Sequence, residues 1–135
     1  MTEIISATWP HQVRFHILLN LRVTYLHCPQ QTNGTLLNTL DNPNSFADSS
    51  STALLAASTY RLATITKDDQ WIPFADKAFQ LIVNSVDQDG WLENTVDPET
   101  FNTPSLPGAH SPEGQTFTIL LYVAQQAYLQ STGQN

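Results

Sequence analysis

Residues 34–41 read GTLLNTLD, and fifty-six residues further on, residues 90–97 read GWLENTVD. Gly34/Gly90, Leu36/Leu92, Asn38/Asn94, Thr39/Thr95 and Asp41/Asp97 are identical pairs with no gap between them. On the order of a few tenths of such matches arise by accident in a chain of this size, so the flanks decide. Each phrase is followed by a proline (Pro43, Pro98) and then a phenylalanine (Phe46, Phe101), both at an offset of fifty-five. An apolar segment of helical length precedes each phrase, and a Ser-led apolar segment follows it. A helix, loop, helix unit repeated at about 56 residues cannot bury its apolar face alone and must stack on its neighbours. The fold class that follows is all-α, built of antiparallel αα-hairpins, with 1–135 forming a single domain.

The individual segments fit that frame. In VRFHILLNLRVTYLH (13–27) apolar residues alternate as in a strand, but Leu18, Leu21, Tyr25 and Leu26 also form a helical stripe. Helix is the reading taken, because the second copy, FADKAFQLIVNSV, reads helical in the same place. The next helix is expected over 50–65, with Leu54, Leu55, Ala57, Ser58, Leu62 and Ile65 inward and Ser49–Ser51 offering cap oxygens. A third is expected over 72–86, with Pro73 in its first turn and Ala75, Phe79, Ile82, Val83 and Val86 inward. Asp89-Gly90 marks a turn in the long loop that follows. Ser111 as N-cap, Pro112 at the first helical position and Glu113 in the first turn open the fourth helix. Gly114, costly there by roughly 1 kcal/mol, signals a close approach. Each loop is longer than packing requires, and such loops on one rim of a helical scaffold are the usual place for binding.

Charge narrows the function. Twelve acidic residues against five basic ones give a net charge of −7, which argues against nucleic acid and against an anionic membrane surface. Neutral sugars remain open, since they are gripped by hydrogen bonds and ring stacking. Cys28 is the only cysteine, so no intrachain disulfide and no Cys-rich zinc framework can form. His11, His16, His27 and His110 are scattered, and neither a metal site nor a cofactor is expected. The N-terminal residues lack the pattern of a secretory signal, and a cytosolic location is expected for the chain as written. A longer, secreted parent would make the sequon Asn33-Gly34-Thr35 relevant.

GTLLNTLDNPNSFADSSSTALLAASTYRLA and DGWLENTVDPETFNTPSLPGAHSPEGQTFTILL resemble the C-terminal part of a fungal branch of glycoside hydrolase families 88 and 105. These are the unsaturated glucuronyl and rhamnogalacturonyl hydrolases. The resemblance covers roughly residues 30–130, and its most telling pieces are FADSSSTALLA and SPEGQ. It implies a partial (α/α)6 toroid, about two of six hairpins, with an oligosaccharide as partner. Six repeats of about 56 residues make a domain near 340 residues, in the range of such a toroid. The family's catalytic aspartate lies in earlier hairpins and no residue here matches its motif, so none is carried over. Residues 1–29 depart from the family, which has a Gly-Asn-Gly-Trp-like stretch upstream.

Five residues are candidates for substrate binding, each with a structural alternative. Trp91 can stack on a sugar ring or close the end of the barrel over the core. Glu113 and Gln115 can face substrate from the rim, or Glu113 can simply serve the helix cap. Asp48 and Ser49 can do the same, or act as a cap. Asp41 and Asp97 sit at equivalent places before proline, which favours turn formation over acid–base chemistry. Trp71 reads as a helix-start staple. The reading is a fragment of a glycoside hydrolase acting on unsaturated uronyl oligosaccharides derived from pectin or glycosaminoglycan and lacking the catalytic aspartate. The alternative is a non-catalytic helical-hairpin interaction module that self-associates through exposed apolar faces.

Overall fold

The computed structural model describes residues 30–134. Two short strands come first, β1 (Leu36–Leu37) and β2 (Ala47–Asp48), followed by three helices, α1 (Ser49–Thr66), α2 (Ile72–Asn84) and α3 (Pro112–Thr132). The helix expected over 13–27 lies outside the described residues. The other three stand within two residues of their expected bounds.

Capping explains where the helices begin and end. Of the oxygens offered at the start of α1, those of Asp48 are used: its carboxylate accepts the N–H groups of Ser50 at 3.0 Å and Ser51 at 3.2 Å. Ser111 does the same for α3, its hydroxyl accepting the Gly114 N–H at 3.0 Å, with Pro112 and Glu113 in the first turn. Helix α2 was expected to reach Val86 and stops at Asn84. Beyond that point the Ser85 carbonyl accepts the Glu93 N–H at 2.8 Å and Val86 pairs with Leu92, so the backbone is already committed to the loop.

Helix α1 lies between the other two and packs on both. Its buried apolar side chains are four alanines, Ala53, Ala56, Ala57 and Ala63, and Tyr60; of the residues expected to face inward only Ala57 is among them. This corrects the inward face read from the sequence: Leu54 and Ile65 are exposed, while Leu55 and Leu62 are half-buried against Trp71. A helix flanked on two sides needs small residues for close approach, and its buried threonines can return their hydroxyls to the preceding turn. Thr52 donates to Asp48 O at 2.6 Å and Thr59 to Leu55 O at 2.9 Å, so neither needs a distant partner. On α2, Ile72, Ala75, Ala78 and Ile82 face the core, and Val83, one step of about 100° further round, is exposed. Trp71 packs on Phe74 at 6.0 Å between centroids; it is itself the N-cap residue and Phe74 the third residue of α2, so the contact lies at the helix start but is not the N′-to-N4 staple expected of it.

The repeat is visible in the backbone. Gly34 and Gly90 both have positive φ, at 101° and 88°. The Gly34 N–H donates to Gln31 O and the Gln31 N–H to Thr35 O; fifty-six residues on, Gly90 donates to Asp87 O and Asp87 to Trp91 O. Leu36 and Leu92 are both buried. Their N–H groups are accepted by Thr52 Oγ1 at 2.9 Å and Gln115 Oε1 at 3.1 Å, each the fourth residue of its helix. Helices α1 and α3 therefore start at the same rim and run in parallel, with α2 returning between the rim loops. Past the leucines the copies diverge. The first closes as the β1–β2 hairpin, with Leu36 opposite Asp48, while the second runs a longer loop to Ser111. Phe46 ends half-buried, whereas Phe101 is 64% exposed with φ 59°, so their match in sequence is not a match in place.

Candidate functional site

The rim where α1 and α3 begin carries a cleft of about 530 Å³, within the usual range of ligand pockets. One wall is the first loop and its hairpin, through Asn33, Thr35, Phe46 and Ala47. The other is the second loop from Asp87 to His110. The two loops are tied beneath the cleft by Ser49. Its hydroxyl donates to the carbonyls of Glu93 and Asn94, and its N–H donates to Asn94 O at 3.0 Å. The first residue of α1 thus holds the second loop.

Trp91 projects from the turn that the Asp89-Gly90 pair was expected to make. Asp87 builds that turn: one of its oxygens, Oδ1, accepts the N–H groups of Asp89 at 2.9 Å and Trp91 at 2.8 Å. From the other side Gln115 grips both neighbours of Trp91, accepting from Leu92 N and donating from Nε2 to Gly90 O at 2.7 Å. The loop then goes out and comes back through Pro104, Pro107 and Gly108, and returns His110 to the indole. The two rings are stacked at 4.2 Å between centroids and 7° from parallel. Along this wall Thr95, buried, shares a hydrogen bond of 3.1 Å with the Ser105 hydroxyl, which also bonds Val96 O at 2.9 Å.

Of the five sequence candidates, Trp91 and Ser49 line the cleft. Asp48, Glu113 and Gln115 stand behind it: Asp48 is the buried cap of α1, Glu113 is exposed in the first turn of α3, and Gln115 holds the backbone on either side of Trp91. Asp87, Ser105 and His110 were not among the candidates, and Thr95 stood out in the sequence only as part of the repeat. The signal for His110 was the TPSLPGAH run, whose prolines and glycine turn the loop back on itself. Asp97 forms the turn expected of it, accepting the Glu99 N–H at 2.8 Å. In the first copy the same task falls to Asn42, one residue past Asp41.

The shifted acidities lie away from the cleft, in the core between the helices. Burial, and then the hydrogen bond and charge of Asp76, push the Tyr60 phenol far above its ordinary range. Burial, then Asp69, raises that of Tyr128. Among the described residues no group of three or more His, Cys, Asp or Glu side chains could hold a metal, and no helix is long and apolar enough to cross a membrane.

No family model matches the sequence, and no curated protein matches it. Two crystal structures do match the fold, each described as that of a possible member of the GH105 family. The one from Salmonella enterica serovar Paratyphi A is 23% identical with a TM-score of 0.68, over 83% of this chain and 32% of that one. The one from Klebsiella pneumoniae is 22% identical with a TM-score of 0.70, over 92% of this chain and 35% of that one. The chain therefore spans about a third of the length of either structure. At this identity the likeness is one of fold: an all-α arrangement of antiparallel hairpins that forms part of an α/α toroid.

Proposed function

We propose that the chain is the oligosaccharide-binding part of a glycoside hydrolase of the GH105 kind. In this reading the substrates are unsaturated uronyl oligosaccharides derived from pectin or glycosaminoglycan, and the catalytic aspartate is not among these residues. The observation that carries it is the placement of the cleft, at the rim where two like helices start, with an indole held there by Asp87 and Gln115. Rings and convergent hydroxyls on such a rim are what sugar binding requires. The test is calorimetric titration of the chain with unsaturated pectin and glycosaminoglycan oligosaccharides. Binding that Trp91→Ala weakens by about tenfold or more supports the reading. Absence of binding to every one of them, in protein whose helical content is intact, rules it out. Hydrolysis is followed separately, by loss of the ultraviolet absorbance of the unsaturated bond, and none is expected of this chain alone.

A second reading is a helical-hairpin module that self-associates. It is favoured by one feature of α3: Ile119, Tyr122 and Val123 are 60%, 57% and 49% exposed, and they stand at helical spacing on one face. Light scattering behind size exclusion measures it. A dimer that Tyr122→Glu dissociates, with no oligosaccharide bound, would favour this reading over the first.

A further inference from the structure

The charges of the cleft are unevenly distributed. Its ionisable lining residues among those described are Asp87, Glu93 and His110. None of the described cations is among the lining residues: Arg61 is on the exposed side of α1, Lys67 at its C-terminal cap, and Lys77 on α2 with its side chain beside Gly34 of the first loop. The remaining polar lining is neutral: the hydroxyls of Thr35, Ser49, Ser85, Thr95 and Ser105 and the amides of Asn33 and Asn94.

This inventory sorts sugars by charge. A sugar hydroxyl donates well to a carboxylate, and hydrogen bonds of that kind are shorter and stronger than neutral ones. Asp87 is prepared for it. One oxygen is fixed by two backbone N–H groups, and the other has no hydrogen-bond partner among the described residues. The hydroxyl protons of Ser49, Ser85 and Ser105 are already given to backbone carbonyls and that of Thr95 to Ser105, so toward a pyranose these groups accept; the amides of Asn33 and Asn94 can donate, and the Trp91–His110 pair supplies a flat surface for its ring. A sugar carboxylate in the same place meets the like charges of Asp87 and Glu93 and, among the described lining residues, no lysine or arginine. It loses its water without an opposite charge to replace it, and like-charge juxtaposition is what excludes wrong partners at interfaces.

We infer that the cleft is built for a neutral sugar residue and discriminates against a sugar carboxylate, so that the uronyl group of the substrate is held outside it. This rests on the oligosaccharide reading above and adds to it which part of the ligand this rim grips.

The experiment compares two ligands that differ only at C6: an oligogalacturonide, and the same oligosaccharide after reduction of its carboxylates to primary alcohols. Both are titrated into the whole chain at neutral pH, with the Trp91 indole N–H followed by NMR. The reduced ligand is expected to bind about tenfold more tightly or better. The gap should narrow in about 1 M salt, where the Debye length falls to about 3 Å. Glu93→Gln should narrow it as well, by raising the affinity for the acid form. Equal or tighter binding of the oligogalacturonide overturns the inference and leaves the oligosaccharide reading standing. If neither ligand moves the indole signal while the spectrum remains that of folded protein, both fail together.

Discussion

A Cβ placed on Gly114 would stand 3.0 Å from Cγ2 of Thr95 and 3.3 Å from Cδ2 of Leu92. The glycine in the first turn of α3 is there because the second rim loop lies against it, and both facing side chains are buried. Gly114→Ala gains about 1 kcal/mol of helix propensity but overfills this contact, which costs about 1–3 kcal/mol. A net loss of stability is expected in thermal or urea unfolding. Thr95→Ser removes Cγ2 and keeps the hydroxyl that meets Ser105. In that background Gly114→Ala should turn stabilising, and a double-mutant cycle measures the coupling.

Gly34 and Gly90 are equivalent in sequence and in backbone, yet they should differ in tolerance. At Gly90 a Cβ meets nothing within 4 Å, so Gly90→Ala carries only the left-handed backbone, about 1–2 kcal/mol. At Gly34 it would stand 2.7 Å from the carbonyl oxygen of Lys77, on the backbone of α2. Backbone cannot rotate away as a side chain can, so Gly34→Ala should cost clearly more than Gly90→Ala. Urea midpoints of the two variants, measured side by side, decide it.

The repeat was legible because it rests on local requirements: a glycine for positive φ, a leucine for the core, a cap for the next helix. Those recur wherever the unit recurs. The buried face of α1 was not legible, because hydrophobic periodicity points to the larger side chains. A helix packed on two sides instead buries Ala53, Ala56 and Ala63 and pushes Leu54 out. The site was half legible for a related reason. Trp91 announces itself by type and by the turn before it, whereas the meeting of His110 with Trp91 depends on how the intervening loop closes. Asp87 looked like one acid among several until its oxygen was seen to hold the turn.

Asp48 and Trp91 were both candidates for the site, and stability should separate them. Asp48→Ala removes the acceptor for two N–H groups and a hydroxyl at a buried cap, so a loss of about 1–2 kcal/mol is expected. Asp48→Asn, which keeps an acceptor, should recover most of it. Trp91→Ala should weaken oligosaccharide binding by about tenfold or more while leaving the helical spectrum intact. If Asp48→Asn, folded, also lost binding, a role for its charge in the site would have to be added to its role as a cap.

Alkaline pH should destabilise the fold through two tyrosines of the core. The Tyr60 hydroxyl donates to Asp76 Oδ1 at 2.6 Å across the α1–α2 contact, and its ring meets that of Tyr128 at 5.6 Å. Burial and carboxylate partners favour the protonated phenol at both positions, so both acidities are lower in the folded chain than in the unfolded one. A group whose folded pKa is raised contributes its stability in full below its unfolded value, here the ordinary tyrosine value of about 10. Above it the unfolded chain releases the proton while the folded chain retains it, and stability falls with each further unit of pH. Melting temperatures measured from pH 8 to 12 should therefore be level up to about pH 10 and decline beyond it. Tyr60→Phe removes one of these protons and the hydrogen bond to the Asp76 carboxylate, at a cost of about 1.5–3 kcal/mol near neutrality. Its decline above pH 10 should be shallower than that of the parent chain, and that of Tyr60→Phe with Tyr128→Phe shallower still. An equally steep decline in the double variant would place the alkaline sensitivity elsewhere.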